Sequence, residues 1–321
     1  MPSKRLLKFA AFAFCFSQLL LSTTPASSLK SQELASERIE IGASTISLRI
    51  IGNLPPELKG KALNWISNSA SAVARYYGHF PVRHLDITVR ARAGHGFGLG
   101  TADLTHGRPS IELPLGIETS DHELDDDWVL THEMVHLAFP LVDRADRWLV
   151  EGMATYVEPF ARLQFGTLSA KDVWGDFLKS SPRGLAKNSD EILRGSRRIP
   201  RIYWGGATFC LLADLQLRQD SNNKFGLQDL LAAISNSGVN IKSHLSSRRA
   251  LSVGDKAFGV KTLEQLYDKL SLSAERPDLD KIFAQLGVRS EAGELKFDDT
   301  APLAYIRRSI DAGRIADQND N

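Results

Sequence analysis

His132-Glu133-Met134-Val135-His136 is the stretch on which the fold and chemistry of this chain turn. The H-E-x-x-H spacing places two imidazoles one helical turn apart, so both project from one face of a helix. Two neutral imidazoles at that separation can close on one Zn2+, and the glutamate between them can reach a water on the ion. A plain core helix carrying two incidental histidines would bury the Glu133 carboxylate without a partner, which is costly.

The flanking residues predict that helix. Ser120 and Glu123 fit a capping box. Asp121, Glu123, Asp125, Asp126 and Asp127 crowd the first turns, where the helix dipole favours negative charge. Trp128, Val129, Leu130, Met134, Val135 and Leu137 make the rest apolar, and Pro140 ends it. The reading gives one helix from about 121 to 138.

A polar turn, Asp143-Arg144-Ala145-Asp146, then leads into a second helix that begins at Arg147. A short helix–turn–helix lets the early part of this helix pack back on the first. Catalytic zinc sites use three protein ligands and leave a position for water. Glu151 is the acidic residue placed to complete such a set. Glu158 lies seven residues further on the same face. It suits either an acceptor for a ligand N–H or a surface salt bridge.

Trp148-Leu149-x-Glu151-Gly152-x-Ala154-x-Tyr156-x-Glu158 is similar to the stretch that carries the zinc-binding glutamate in gluzincin metallopeptidases. The resemblance is strongest to the aminopeptidase-N-like and glycyl aminopeptidase families, and it implies that Glu151 is the third ligand beside His132 and His136. Further on, Tyr203-Trp204-Gly205-Gly206 and the apolar run Thr208 to Arg218 resemble the Y-x-K-G segment and following helix of the same families. Tyr203 thereby takes the place of the tyrosine that donates to the tetrahedral oxyanion. The chain departs from the pattern at Gly205, where those families usually carry lysine. Asn222, Lys224 and Leu227 to Leu231 continue the likeness to the glycyl aminopeptidases, so the whole covers about 120 to 235.

The resemblance implies an α+β, gluzincin-like (thermolysin-like) catalytic domain: a small N-terminal sheet lobe over 29–120 and a mostly helical, zinc-binding C-terminal lobe over 121–312. It implies one Zn2+ per chain, Glu133 as general base, and hydrolysis of a peptide or protein substrate. Aminopeptidases of the first family hold the substrate amine with a G-x-M-E-N segment, which this chain lacks, so aminopeptidase and endopeptidase both stay open. The extra domains of the two families are expected to have no room in these 321 residues. A protein of another class, secreted and inactive but still binding metal or peptide on the same fold, is the alternative. Intact Glu133 argues against it, since a site that only holds metal needs no base.

Residues 1–28 read as a secretory signal. Lys4, Arg5 and Lys8 give a basic start, Phe9 to Leu21 is apolar but short for a membrane span, and Ala26-Ser27-Ser28 offers a cleavage site. The expected mature protein begins near Leu29, lies in the periplasm or outside the cell, and keeps no stable membrane insertion. An uncleaved anchor is the alternative. Three of the 39 basic residues leave with the signal, so the balance becomes 36 against 38 acidic residues. Nothing in that balance suggests a nucleic-acid partner, which usually attracts a basic surface. Only Cys210 remains besides Cys15 of the apolar run, so the mature monomer has no internal disulfide.

Alternation predicts strands at 38–41, 46–51, 85–90 and 109–114, with a helix over 57–77. Pro109 and Pro114 bound the last strand and suggest a sheet edge. Residues 94–114 are accordingly either a surface for strand addition by substrate or an ordinary hairpin. The glycine-rich run Gly94 to Gly100 precedes no helix, so it is not a nucleotide loop. Helices are predicted over 147–163, 169–179, 204–219, 226–236, 262–270, 277–285 and 301–311. Arg197, Arg198 and Arg201 form either a solvated charge run or a cleft-rim site for a carboxylate. His79, His84, His95, His106, His122 and His244 lack ligand spacing, though His95 and His106 flank the candidate strand. A disordered tail is expected over 313–321.

Overall fold

The structure, a computed structural model, describes residues 37–313. The expected signal and the tail beyond residue 313 lie outside the described residues. No helix among the described residues is long and apolar enough to cross a membrane.

A five-stranded sheet and a set of helices share one apolar core. Strands β1 (Glu37–Ile41) and β2 (Ser44–Ile51) form an antiparallel hairpin. Helix α1 (Pro56–Tyr77) then crosses over to β3 (His84–Arg92), which runs parallel to β2. Of the apolar positions that its spacing predicts, Ile66, Ala70, Val73 and Tyr77 are buried, and Leu63 and Ala74 are half-buried against the core. Full burial of Ile66 and Val73 contributes roughly 1.5–3 kcal/mol each. Gly78 in the left-handed region (φ 78) ends the helix. Strands β4 (Thr101–Thr105) and β5 (Arg108–Gly116) complete the order β1-β2-β3-β5-β4.

This order corrects the edge assignment. The proline-bounded strand, β5, is internal, and the edge is β4, a strand that the alternation did not predict. Each proline sits where one of the two neighbours is missing. Pro109 pairs only with Leu104 of β4, because the ladder to β3 starts at Ser110. Pro114 pairs with Arg90 of β3, past the end of the β4 ladder at Glu112, and its carbonyl accepts from Gly98 N at 3.0 Å. A residue without N–H costs least where a ladder stops.

The single helix expected over 121–138 is two: α2 (Asp121–Asp125) and α3 (Val129–His136). The Ser120–Glu123 capping box opens the first. Asp127 separates them, because its carboxylate accepts from the N–H groups of Val129 and Leu130 and so starts the second helix. The indole of Trp65 donates to the same carboxylate at 3.1 Å, which fixes the new helix against α1. Burial pushes the Asp127 carboxyl up to about 6, against the pull of those donors.

The remaining helices are α4 (Arg147–Phe165), α5 (Ala170–Ser180), α6 (Gly206–Asp220), α7 (Leu227–Asn236), α8 (Ser247–Phe258), α9 (Thr262–Ser271), α10 (Leu279–Gln285) and α11 (Ala304–Ala312). All but α8 match a predicted segment. A hairpin, β6 (Val288–Glu291) with β7 (Glu294–Phe297), is also additional to the prediction.

Candidate metal centre

Helix α4 carries Glu151, and three features fix where it lies. Its first turn follows Asp146, a buried carboxylate that accepts from Arg194 Nε, Ser247 Oγ and Tyr267 Oη at 3.2, 2.9 and 2.9 Å. Trp148 is buried one residue into the helix, edge-on to Phe209 and stacked on Tyr267. Gly152 meets Gly206 of α6 backbone to backbone: a Cβ on Gly152 would lie 2.2 Å from the Gly206 Cα. The two glycines therefore set the distance between the helix bearing Glu151 and the segment bearing Tyr203.

His132 and His136 come together as their spacing predicts, and Glu151 joins them as the resemblance implies. One ligand atom from each lies within 4.8 Å of the others. Glu151 Oε2 stands 3.4 Å from His132 Nε2 and 3.7 Å from His136 Nε2. Two ligands about 2.0–2.1 Å from a tetrahedral zinc ion stand about 3.3 Å apart. The donor types suit zinc, and Glu151 Oε2 stands close to that spacing from each histidine. Burial alone would raise the Glu151 carboxyl, but the two imidazoles and Arg147 hold it well below the usual carboxylate range. Burial, with His132 beside it, lowers His136 to about 4, which favours the neutral, ligating form. Burial also acts to lower His132, but its acidic neighbours, Glu151 first, leave it raised.

Glu133 follows His132 on α3 and neighbours both histidines along the helix. It is 5% exposed, and its Oε2 accepts from Ala102 N of the edge strand at 2.9 Å. Burial pushes its carboxyl up to about 7. Gly100 explains part of the glycine-rich run: a Cβ there would lie 2.7 Å from Glu133 Cγ. The edge strand can approach the carboxylate only because that position has no side chain.

Tyr203 lies in a π-helical turn, Arg201–Gly205, that runs straight into α6. Such turns recur at functional sites because they re-aim side chains within a helix. Its ring stacks on His132 with centroids 6.1 Å apart, and its hydroxyl faces Glu151 and Arg147. Burial, with Glu151 beside it, raises this phenol, so it stays protonated and able to donate.

Glu158 is not on the surface. It is 5% exposed, pairs with buried Arg162 at 3.0 Å, and lines a small cavity together with His132. Of the arginines of the 197–201 segment, Arg197 is exposed, as a solvated charge would be, and the other two take neither expected role. Arg198 pairs with Glu191 and donates to the carbonyls of Arg183 and Leu185, and buried Arg201 donates to those of Gly184 and Glu191. His95 is exposed and lies 3.5 Å from Glu123, while His106 occupies the β4–β5 turn at φ 52. Neither joins the centre. Two participants escaped the sequence reading, the Ala102 N–H and Arg147. The N–H has no sequence signal. Arg147 had one, since it stands four residues before Glu151 on a helix.

No family model matches the chain, and no curated protein matches it. Solved structures do. An aminopeptidase N family protein from Idiomarina loihiensis superposes with a TM-score of 0.56 at 16% identity, over 81% of this chain and 50% of that one. An M1 zinc metallopeptidase from Deinococcus radiodurans gives 0.51 at 17% identity, over 76% of this chain and 52% of that one. A mutant two-domain M1 zinc metallopeptidase bound to L-arginine gives 0.51 at 16% identity, over 75% and 52%. The mixed α+β fold, a five-stranded sheet with helices, is thus similar to that of M1 peptidase domains. The chain spans about half the length of these neighbours.

Proposed function

We propose that this protein is a zinc-dependent metallopeptidase, with His132, His136 and Glu151 as ligands, Glu133 as general base and Tyr203 as oxyanion donor. The observation that carries the reading is the meeting of three ligand atoms within 4.8 Å beside a buried glutamate on the same helix. The arrangement of a sheet lobe and a helical lobe around a gluzincin-like cleft belongs to the same proposal.

When bound, zinc would supply Lewis acidity, polarising a carbonyl and acidifying water. The residues of the chain do the rest. Glu133 takes a proton from the attacking water and hands it to the leaving amine. The Ala102 N–H holds the Glu133 carboxylate in one orientation through Oε2, leaving Oε1 for that proton. Tyr203 donates to the oxygen on which charge develops. Its protonated phenol and its place above His132 support that role. A substrate strand lies along the free edge of β4, where main-chain groups align it with Glu133. The basic start and short apolar run support export to the periplasm or beyond, which N-terminal sequencing of an exported form tests.

Cleavage of a mixed peptide library, with metal analysis of the same purified sample, tests the main proposal. Stoichiometric zinc and chelator-sensitive cleavage are expected. Zinc without cleavage of any peptide would leave a metal-binding protein on a peptidase fold.

A further inference from the structure

The two oxygens of Glu151 have different neighbours. Oε2 faces the histidines, 3.4 Å from His132 Nε2 and 3.7 Å from His136 Nε2. Oε1 faces away and accepts from Arg147 Nε at 3.0 Å. Arg147 is the first residue of α4, one turn before Glu151. Its side chain is 47% exposed, so it reaches inward from the surface, and the Tyr203 hydroxyl lies beside it.

Helix energetics give no reason for an arginine there. A cation in the first turn opposes the helix dipole. The order cation-then-acid at i, i+4 is the poorer of the two for an exposed pair. A cation near a metal site also repels the ion. What the arginine does supply is a charge-assisted donor aimed at one oxygen of a ligand.

We propose that Arg147 is a positioning residue for the metal centre: it holds Glu151 Oε1, so that Oε2 alone is offered to the ion between His132 and His136. The inference rests on the zinc reading above. Without Arg147 the carboxylate can rotate and offer both oxygens, or swing out of line with the histidines. Partners of this kind, which orient a ligand from behind, are commonly worth about 10- to 100-fold in metal affinity.

The sign of the effect separates positioning from plain electrostatics. If Arg147 acted only as a nearby positive charge, its removal would tighten zinc binding. If it positions Glu151, removal weakens it. The experiment uses the full chain and Arg147→Met, which keeps most of the stem and loses the donor. Zinc affinity is measured by chelator competition, the melting temperature on the metal-free protein, and ligand geometry from the visible spectrum of the cobalt(II)-loaded form. The expected result is a zinc Kd raised about 10- to 100-fold, an unchanged metal-free melting temperature, and a weaker cobalt absorption as the carboxylate takes a second position. Arg147→Lys, which keeps the charge without the planar donor, should fall between. A Met variant with wild-type or tighter zinc binding and an unchanged cobalt spectrum overturns the proposal. Should Met fail to fold, Arg147→Ala decides by the same two readings. A wild-type protein that holds no zinc sinks the metal reading and this inference together; a loaded wild type with an equally loaded variant sinks this inference alone.

Discussion

The centre stands between two walls built by different means. On the helical wall, side chains carry the proposed roles, and their positions are set by close packing of α3, α4 and the turn before α6. Gly152 against Gly206 brings the backbones together, and Trp148 and Asp146 lock the start of α4. On the sheet wall, the backbone supplies the contact. The edge strand offers an N–H to Glu133 at Ala102, past a glycine that keeps the approach open. The difference teaches where tolerance lies. The helical wall depends on residue identity, whereas the sheet wall depends on conformation and on the absence of side chains.

Substitutions test that contrast in order of expected effect. Glu151→Ala should release most of the zinc and with it all hydrolysis; stoichiometric zinc at unchanged affinity would remove Glu151 from the ligand set. Glu133→Gln should keep zinc and lose most turnover, read by metal content and peptide hydrolysis on one sample. Tyr203→Phe should lower kcat by on the order of 10²–10³ with little change in KM, since a donor aimed at developing charge acts in the transition state. Full turnover in that variant would reduce Tyr203 to a packing residue. Gly100→Ala probes the sheet wall. Its new Cβ presses on Glu133 Cγ, so kcat should fall about tenfold with zinc content unchanged, displaced catalytic groups being costly at the scale of an ångström. A silent Gly100→Ala would mean that the edge strand yields freely. Asp127→Ala should lower stability by about 1 kcal/mol, the usual worth of a helix-starting acceptor, without loss of zinc. Denaturant unfolding measures it, and a larger loss would show that the Trp65 contact matters as much as the helix start.

The helical wall was legible for a physical reason. Helical spacing converts i, i+4 in sequence into one face in space, so His132 and His136 had to meet wherever the helix formed. Asp127 was counted as one more acid of a first turn, because nothing local distinguishes an acid inside a helix from one that starts the next. Helix α8 went unread because its segment, rich in serine and charge, contains Gly254. That glycine is explained by the fold: a Cβ there would lie 3.0 Å from the Leu230 carbonyl oxygen of α7. Strand β4, Thr-Ala-Asp-Leu-Thr, carries only Ala102 and Leu104 as apolar residues, too few to stand out, because an edge strand buries little. The prolines of β5 did mark ladder ends, but the ends of two different ladders on one internal strand.

Asp146 ties the turn before α4 to residues 101 and 121 positions further along the chain. A ribosome releases the chain from its N-terminus, so both histidines and Glu151 emerge well before Ser247 and Tyr267. Until those two arrive, the buried carboxylate lacks two of its three donors, and the first turn of the helix bearing Glu151 is held less firmly. Synthesis order therefore delays this anchoring: the unfinished chain holds all three residues of the candidate centre before it holds the full set of donors behind them.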